Sequence, residues 1–397
     1  EKVLDEQYIE HHPIVENGYL YDENYHPGRS AYFLAGLYYI QEPSAMLVAD
    51  TLPIEPDDFV LDMCAAPGGK SCEIASRLTG EGVLIANDIE ASRARILSEN
   101  IERFGLDNTI VTNVDPMRFT KQFQEAFDKI VLDAPCSGEG MFRKLEQAVD
   151  TWSEEKVLEC AHIQKNLLKG AYEMLKQGGM VIYSTCTYSY EENEAMVHYA
   201  VDELGFELLP LNKSHGLCPG VDLDEVVRCY PHHYRGEGHF IALLRKPGNS
   251  PRKAVRPMKP QVSQANLKVL KAFYQENLNK NVPSYIIENN GHLYAIKKNF
   301  PELKGIRVLR NGLYLGEVRK NRFIPSYSLA LTLTKEDVKR SYDYPSDSAE
   351  IKKYIHGETL EGTGNKGFGV IFVDGYPLSF YKESNQVKNL FPKGLRR

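Results

Sequence analysis

The chain has 397 residues, 42% hydrophobic and 25% charged, with a formal net charge of −7; this is the make-up of a soluble globular protein, long enough for two or three domains at roughly 100–200 residues each. No apolar stretch approaches the ~20 residues needed to cross a bilayer, and "EKVLDEQYIE" is not a basic-then-apolar leader, so a membrane role is not expected and a cytoplasmic location is. Cysteines at 64, 72, 136, 160, 186, 218 and 229 form an odd set without a CxxC pair, which argues against a disulfide framework and against a structural metal site.

Short β-rich runs alternate with helical patterns over the first part of the chain. "DFVLDM" (58–63), "GVLIAND" (82–88), "NTIVTNVD" (108–115), "FDKIVLDA" (127–134) and "GGMVIYSTC" (178–186) read as strands. "GKSCEIASRL", "EASRARILSENIERFG" and "SEEKVLECAHIQKNLLKGAYEMLKQGG" between them carry apolar residues near helical spacing, two closing on Gly. The alternation predicts an α/β fold with a mainly parallel sheet covered on both faces, whose ligands bind beyond the carboxyl ends of the strands. Those ends carry Asp62 and Cys64, Asp88, Asp115, Asp133 with Cys136, and Cys186. Cys72, Cys160, Cys218 and Cys229 read instead as small buried hydrophobes.

The composition breaks at "RKPGNSPRKAVRPMKPQVS" (245–263), with four prolines and six basic residues, an exposed linker able to lie along phosphates. Beyond it "QANLKVLKAFYQENL" predicts a helix, and "SYIIENNGHLYAIKKN", "IRVLRNGLYLGEVRKNRFIPS" and "FGVIFVDGYPLSFY" predict hairpins with Asn-Gly or Asp-Gly turns, a small α+β module or two whose tyrosines favour the core over base stacking. Residues 1–246 hold 21 Lys and Arg against 41 Asp and Glu, and residues 247–397 hold 26 against 13. A basic part that delivers an acidic part to a polyanion would have this split.

"LDMCAAPGGKS" (61–71) is a strand, a tight turn and a helix start that ends like a phosphate-binding P-loop, but Cys64 stands where that motif needs its first glycine. What remains is a turn of small residues, Ala65, Ala66, Pro67, Gly68 and Gly69, that lets a ligand touch backbone and aims helix N-terminal amides at an anion. A single carboxylate, such as the amino-acid end of S-adenosylmethionine, suits it better than a triphosphate. Asp88 is placed to accept from ribose hydroxyls and Asp115 from an adenine amino group. In "DAPCSGEG" (133–140) Cys136 follows a strand end, and in "STCTYS" Cys186 does the same. Either thiol is a candidate nucleophile.

Three of these stretches, "CAAPGGK", "DAPCSGEG" and "YSTCTYSYEENE", with the lead-in "AYFLAGLYYIQEPSAMLVADTL" (31–52), resemble the Nop/Sun family of RNA cytosine methyltransferases. The ending "VKNLFPKGLRR" extends the likeness to the bacterial RsmF-type branch, which methylates small-subunit ribosomal RNA. The resemblance implies a Rossmann-like class I methyltransferase with a seven-stranded sheet, S-adenosylmethionine as cofactor, and RNA as partner, either small-subunit rRNA or the assembling 30S subunit, with the enzyme a monomer. It implies a lead-in remnant over 1–41, a catalytic domain over 42–246, a linker over 247–263 and an RNA-binding region over 264–397 with a PUA-like last module. Where such proteins often carry Lys and Arg around a Gly, this chain has "YPLSFYKESNQVKNL".

Carried over residue by residue, Cys64 to Lys70, Asp88, Arg93, Asp115 and Asp133 line the cofactor cleft, Cys186 is the nucleophile and Cys136 promotes breakdown of the adduct by assisting proton removal. The chemistry accords with this: carbon 5 of cytosine is a poor nucleophile until a thiolate adds to carbon 6, and the charge pushed into the ring must be met at N3. Asp133, its pKa raised by desolvation, is the expected acid, and Lys70 is placed to hold the thiolate or Asp133. Such a base must leave its stack to react, which predicts a single-stranded or flipped substrate. Arg228, His232 and His239 in "RCYPHHYRGEGHFIALL" read as structural or RNA-facing. The intact set of Cys136, Cys186, Asp133 and Lys70 argues against an inactive RNA-binding relic of the fold, and Cys64 against a P-loop NTPase.

Overall fold

A computed structural model describes residues 3–4, 9–22, 24–144 and 146–396, apart from the side chain of residue 147; the expected lead-in over 1–41 and the ending "VKNLFPKGLRR" therefore lie partly outside the described residues. The catalytic sheet is built from β1 (Phe59–Asp62), β2 (Val83–Asn87), β3 (Thr109–Thr112), β4 (Phe127–Asp133), β5 (Leu175–Thr185), β6 (Glu207–Leu209), β7 (Val227–Cys229) and β8 (His239–Arg245). Its order is β3-β2-β1-β4-β5-β8-β6, with β1 to β5 parallel and β8 antiparallel to β5. These are the seven strands of the expected Rossmann-like fold. Two more are added among the described residues: β7 beside β8, and Val308–Asn311, which runs antiparallel to β3.

Alternation along each strand sorts the core into two layers. Leu61, Ile85, Ile130 and Val181 face one cluster with Leu167, Leu168 and Ala171 of α4 (Glu154–Met174). Val60, Leu84, Val131 and Ile182 face the other, with Leu47 and Val48 of α1 (Pro43–Thr51), Ile74 and Ala75 of α2 (Gly69–Arg77) and Leu97 and Ile101 of α3 (Ala91–Arg103). All four strand pairs are buried on both faces, which explains why the strands read as continuous apolar runs. Ser153 caps α4 by accepting from the Lys156 amide at 3.2 Å, and Glu42 caps α1 through the Ser44 and Ala45 amides.

After the linker, α5 (Gln264–Asn277) and four strands in the order Ile286–Asn289, His292–Ala295, Leu313–Arg319, Arg322–Pro325 make one small unit. A five-stranded sheet around Gly367–Val373 and Tyr376–Glu383, with helix Ala349–His356, makes the other. Leu270, Phe273 and Tyr274 of α5 share a cluster with Val370, Phe372 and Phe380, so the two units have a common core. Tyr274, Tyr327, Tyr354 and Tyr381 are buried, as the spacing favoured.

Three sequence expectations are corrected. Asn290-Gly291 and Asp374-Gly375 do turn hairpins, but Asn311-Gly312 does not: the strand before it leaves for the catalytic sheet and the strand after it enters the small sheet. Hydrogen bonding to β3 wins because β3 would otherwise be an open edge. The linker's charge is partly met within the protein rather than all free for phosphates: Arg252 pairs with Asp128, Lys253 with Glu125 at 2.7 Å and Arg256 with Glu302 at 3.1 Å, while the Lys253 and Arg256 side chains stay largely exposed. Cys218 is half-exposed rather than buried, while Cys72, Cys160 and Cys229 are buried.

Candidate active site

The strand ends of β1, β2, β4 and β5 converge on one cleft. Strand β1 ends at Asp62 and the chain turns through Cys64–Gly68, with a cis bond between Ala66 and Pro67, into α2. Gly68 has φ 114°, a conformation that disfavours any side chain, and a Cβ there would lie 2.9 Å from Leu97; both facts call for glycine. Lys70 stands in the first turn of α2, where its Nζ donates to Asp133 Oδ2 at 2.8 Å. Lys70 thus holds Asp133, the second of the two partners its position allowed.

Asp133 closes β4 and also accepts from Ser184 Oγ of β5 at 2.7 Å. Burial raises its pKa, but the Lys70 ammonium and the two hydrogen bonds more than offset this and hold the carboxyl below its ordinary value. The expectation of a carboxyl raised by desolvation is therefore corrected: the cation beside it outweighs the burial. Burial likewise works against the charge of Lys70, and Asp133 overrides it, so the ammonium is stabilised.

Beyond β5 and β4, the two thiols meet. Cys136 Sγ lies 3.1 Å from Cys186 Sγ, and the Cys186 amide points at Cys136 Sγ at 3.4 Å. The hydrogen bond to Cys186 and then burial push the Cys136 thiol well above its usual range, so it keeps its proton. Burial also pushes the Cys64 thiol up, which leaves it inert as a nucleophile. The Cys136 loop is held from below by Glu192: its carboxylate accepts from the Ser137 amide at 3.1 Å, from Ser137 Oγ, and from Gln164 Nε2 at 2.9 Å, while Gln164 also donates to the Pro135 carbonyl. Gly140 must be glycine, because a Cβ would stand 2.9 Å from the carbonyls of Cys186 and Gly238.

On the cofactor side, Asp88 is 2% exposed at the end of β2 and accepts from the Ala66 amide at 3.2 Å and the Glu90 amide at 2.9 Å. Arg93 Nη2 donates to the Ala66 carbonyl at 2.8 Å and lies 3.6 Å from Asp88, so it props the small-residue turn from outside. Asp115, past the end of β3, is exposed and caps the turn Pro116–Phe119 through the Met117 amide at 2.9 Å. Asp62 is fully buried; its Oδ2 accepts from Ser71 Oγ at 2.7 Å, Oδ1 has no partner, and burial pushes its carboxyl up to about 7.

Sequence reasoning placed Cys136, Cys186, Asp133, Lys70 and the turn Cys64–Gly69 in one region, and the structure brings them together. It did not assign Asp62, Ser184, Glu192 or Ser137 a role, and it read His239 as structural or RNA-facing. His239 is 7% exposed, bonded through Nδ1 to Ser44 Oγ at 2.8 Å, and close enough to Lys70 and Asp133 for both to act on its charge; burial first, then Lys70, lowers its pKa, so it stands neutral as a wall of the site. The signal that could have found Glu192 is a carboxylate six residues beyond Cys186 in "STCTYSYEENE", too close in sequence to face solvent if the strand end is buried.

Residues 49–245 match the family described as 16S rRNA methyltransferase RsmB/F, residues 272–333 the first C-terminal domain of the RsmF rRNA methyltransferase and residues 341–397 its PUA domain. "Ribosomal RNA small subunit methyltransferase F" of Vibrio vulnificus is 35% identical over 97% of this chain and 86% of its own length. The chain belongs to the ribosomal RNA small-subunit methyltransferase F family. The protein of that name from Aeromonas salmonicida is 32% identical over 95% and 82%. Among solved structures, a methyltransferase homolog from Pyrococcus horikoshii is 33% identical with a TM-score of 0.54, covering 60% of this chain and 78% of its own, and NSun6 from Pyrococcus horikoshii with SFG is 35% identical with a TM-score of 0.50, covering 56% of each.

The methyltransferase F family uses S-adenosylmethionine, and the site fits that cofactor. The small-residue turn leaves room for a ligand at the N-terminus of α2, Asp88 offers a fixed carboxylate at the next strand end, and the unpartnered Oδ1 of buried Asp62 suits a cationic ammonium. Among the described residues no group of His, Cys, Asp and Glu is arranged to hold a metal ion, and no helix is long and apolar enough to cross a membrane.

Proposed function

We propose that the protein transfers a methyl group to carbon 5 of cytidine in small-subunit rRNA by covalent thiolate addition, with Cys186 as nucleophile. The observation that carries this is the pair of thiols 3.1 Å apart at the ends of adjacent strands, one of them held protonated, beside an ion-paired carboxylate. A methyltransferase that attacks an already nucleophilic atom needs no thiol; one that must first activate carbon 5 needs one thiol to add and benefits from a second to let go.

In this reading the cytosine enters edge-on to Asp133. Cys186 sulfur bonds to carbon 6, and the electron pair released into the ring is met at N3 by a proton that Lys70 holds at rest and Asp133 relays. Bound along Cys64–Lys70, Asp62, Asp88, Arg93 and Asp115, S-adenosylmethionine supplies an electrophilic methyl group. With the methyl on carbon 5, Asp133 returns the N3 proton to Lys70, solvent water takes the carbon 5 proton, and the electron pair left behind re-forms the 5,6 double bond as the carbon–sulfur bond breaks and Cys186 leaves as thiolate. Cys136 promotes that last step, and its retained proton suits it to hydrogen-bond the departing Cys186 sulfur rather than to the proton removal expected of it. Ser184 positions Asp133, and Glu192 positions Cys136. The RNA-binding C-terminal units present rRNA, as naked RNA or in the assembling subunit, to a single copy of the enzyme.

Replacing Cys136 with Ala is expected to trap the protein covalently on RNA, seen as a shifted band on a denaturing gel, whereas Cys186→Ala abolishes both methylation and trapping. The reverse pattern overturns the assignment of the thiols. Mapping 5-methylcytosine on rRNA from cells with and without the protein tests the substrate, and an unchanged map overturns it.

A further inference from the structure

Four aromatic rings lead away from the thiols and are not used by the chemistry above. Tyr188, two residues after Cys186, is stacked on Tyr230 with ring centroids 5.6 Å apart and 23° between planes. Tyr230 faces His232 at 5.5 Å and 34°, and His232 faces His233 at 4.1 Å. Burial falls along the row: Tyr188 and Tyr230 are half-buried, His232 and His233 exposed.

The row is held rigidly at its inner end. Tyr188 Oη donates to the Glu237 carbonyl at 2.7 Å, and a side chain at Gly238 would lie 2.0 Å from that hydroxyl. Arg228, locked to buried Glu194, donates to the Tyr188 carbonyl at 3.0 Å and sets its guanidinium 5.9 Å from the Tyr230 ring. The same turn is anchored by buried Tyr234, whose hydroxyl meets His12 Nε2 at 2.6 Å. Tyr234 therefore does the structural work of this turn, while among the described residues the exposed rings of His232 and His233 make no hydrogen bond to the protein.

The geometry points to His232 and His233, the exposed end of the row that Tyr188 and Tyr230 support, as the stacking platform for the nucleobase adjacent to the target cytosine in single-stranded RNA. This rests on the RNA cytosine reading. A base pulled out of its stack leaves its neighbour without a partner, and a preformed π-face at the end of a row that starts at Tyr188, two residues after the nucleophile, replaces the lost stacking; such contacts are sequence-tolerant, so the platform fixes register without dictating the neighbour's identity.

The test uses the full chain and the RNA segment found by mapping, intact or carrying an abasic residue immediately 5′ or 3′ of the target. For the native protein, one of the two abasic substrates is expected to raise KM by about ten-fold with kcat little changed. In His232→Ala and in His233→Ala, both at exposed positions, KM for the intact RNA rises toward that value and the abasic residue adds no further penalty. A purely structural role would leave the abasic penalty intact in both variants. An undiminished penalty, or none with the native protein, overturns the platform while methylation of the intact RNA leaves the cytosine reading standing; absence of methylated cytosine overturns both.

Discussion

Asp62 and Asp133 lie at neighbouring strand ends in the same cleft, yet their environments drive their protons in opposite directions. Asp133 has a cation at 2.8 Å and is held ionised; Asp62 has a hydroxyl and a vacant lone pair and is pushed up to about 7 by burial. If Asp62 receives the cofactor's ammonium, its ionised form is the one that binds. Affinity for S-adenosylmethionine, measured by calorimetry, is then expected to strengthen from about pH 6 to about pH 8, through the value near 7, and Asp62→Asn to bind weakly with no such slope. The free protein responds with the opposite sign. Between the ordinary carboxyl value, about 3.9, and 7 the folded state holds a proton that the unfolded state has lost, so this residue's contribution to stability falls as pH rises through that window. For Asp133 the depressed value makes a contribution that is present above the ordinary carboxyl range and lost as pH falls through the folded value. Lys70→Met removes the cation and leaves the burial, so the Asp133 carboxyl carbon, followed by NMR, is expected to titrate at a higher pH in that variant; an unchanged titration would mean that Lys70 is not what holds it down.

At the scale of elements, the catalytic loops are tied down by buried polar pairs behind them. Arg228 of β7 is 2% exposed and Glu194, which opens helix Glu194–His198, is fully buried; their ion pair also fixes the Tyr188 carbonyl. Arg228→Leu strands an uncompensated carboxylate and is expected to cost about 3–5 kcal/mol, read as a fall in Tm. A Tm within error of the native protein would show that water reaches Glu194. The elements themselves were largely legible in the sequence. Five parallel strands announced themselves as apolar runs, and Gly68 and Lys70 at a strand-to-helix turn marked the cofactor loop. What could not be read was pairing over long separations. Asn311-Gly312 has the local chemistry of a hairpin turn, and only the open edge of β3, some two hundred residues earlier, redirects the strand before it. The same limit hid Glu192 and Ser184, whose work is done on Ser137 and Asp133 across adjacent strands. The acidity of Asp133 was misjudged although Lys70 was a foreseen partner, because sequence shows that burial and a cation oppose each other there but not the 2.8 Å contact that decides between them.

Over the whole molecule, the split between an acidic first part and a basic second part turns out to be partly internal. Arg252 and Lys253 meet Asp128 and Glu125, and Arg310, 5% exposed, meets Glu102 at 2.9 Å. The N-terminal side joins in as well: Ala31, Leu34 and Ala35 pack with Tyr354, Tyr381 and Phe391 of the last unit, and Tyr32 donates to Asp374 at 2.7 Å. Salt should therefore weaken RNA binding less steeply than the 26 Lys and Arg of residues 247–397 alone would suggest. Thermal unfolding is expected to be a single calorimetric transition, and Arg310→Ala, which loosens strand Val308–Asn311, to broaden it or divide it in two. Two separate transitions in the native protein would rule out this coupling.

Strand Val308–Asn311 belongs to the catalytic sheet by hydrogen bonding and to the C-terminal part by chain connection. The protein is therefore a caliper with welded arms. An rRNA held by the C-terminal units would meet the strand-end cleft at one span, and a nucleotide in the right sequence at the wrong distance would not be reached. Selection of the modified site would then reside as much in the length between two contacts as in the shape of the pocket, and lengthening the Asn311-Gly312 connection would shift which nucleotide is reached rather than how fast it reacts.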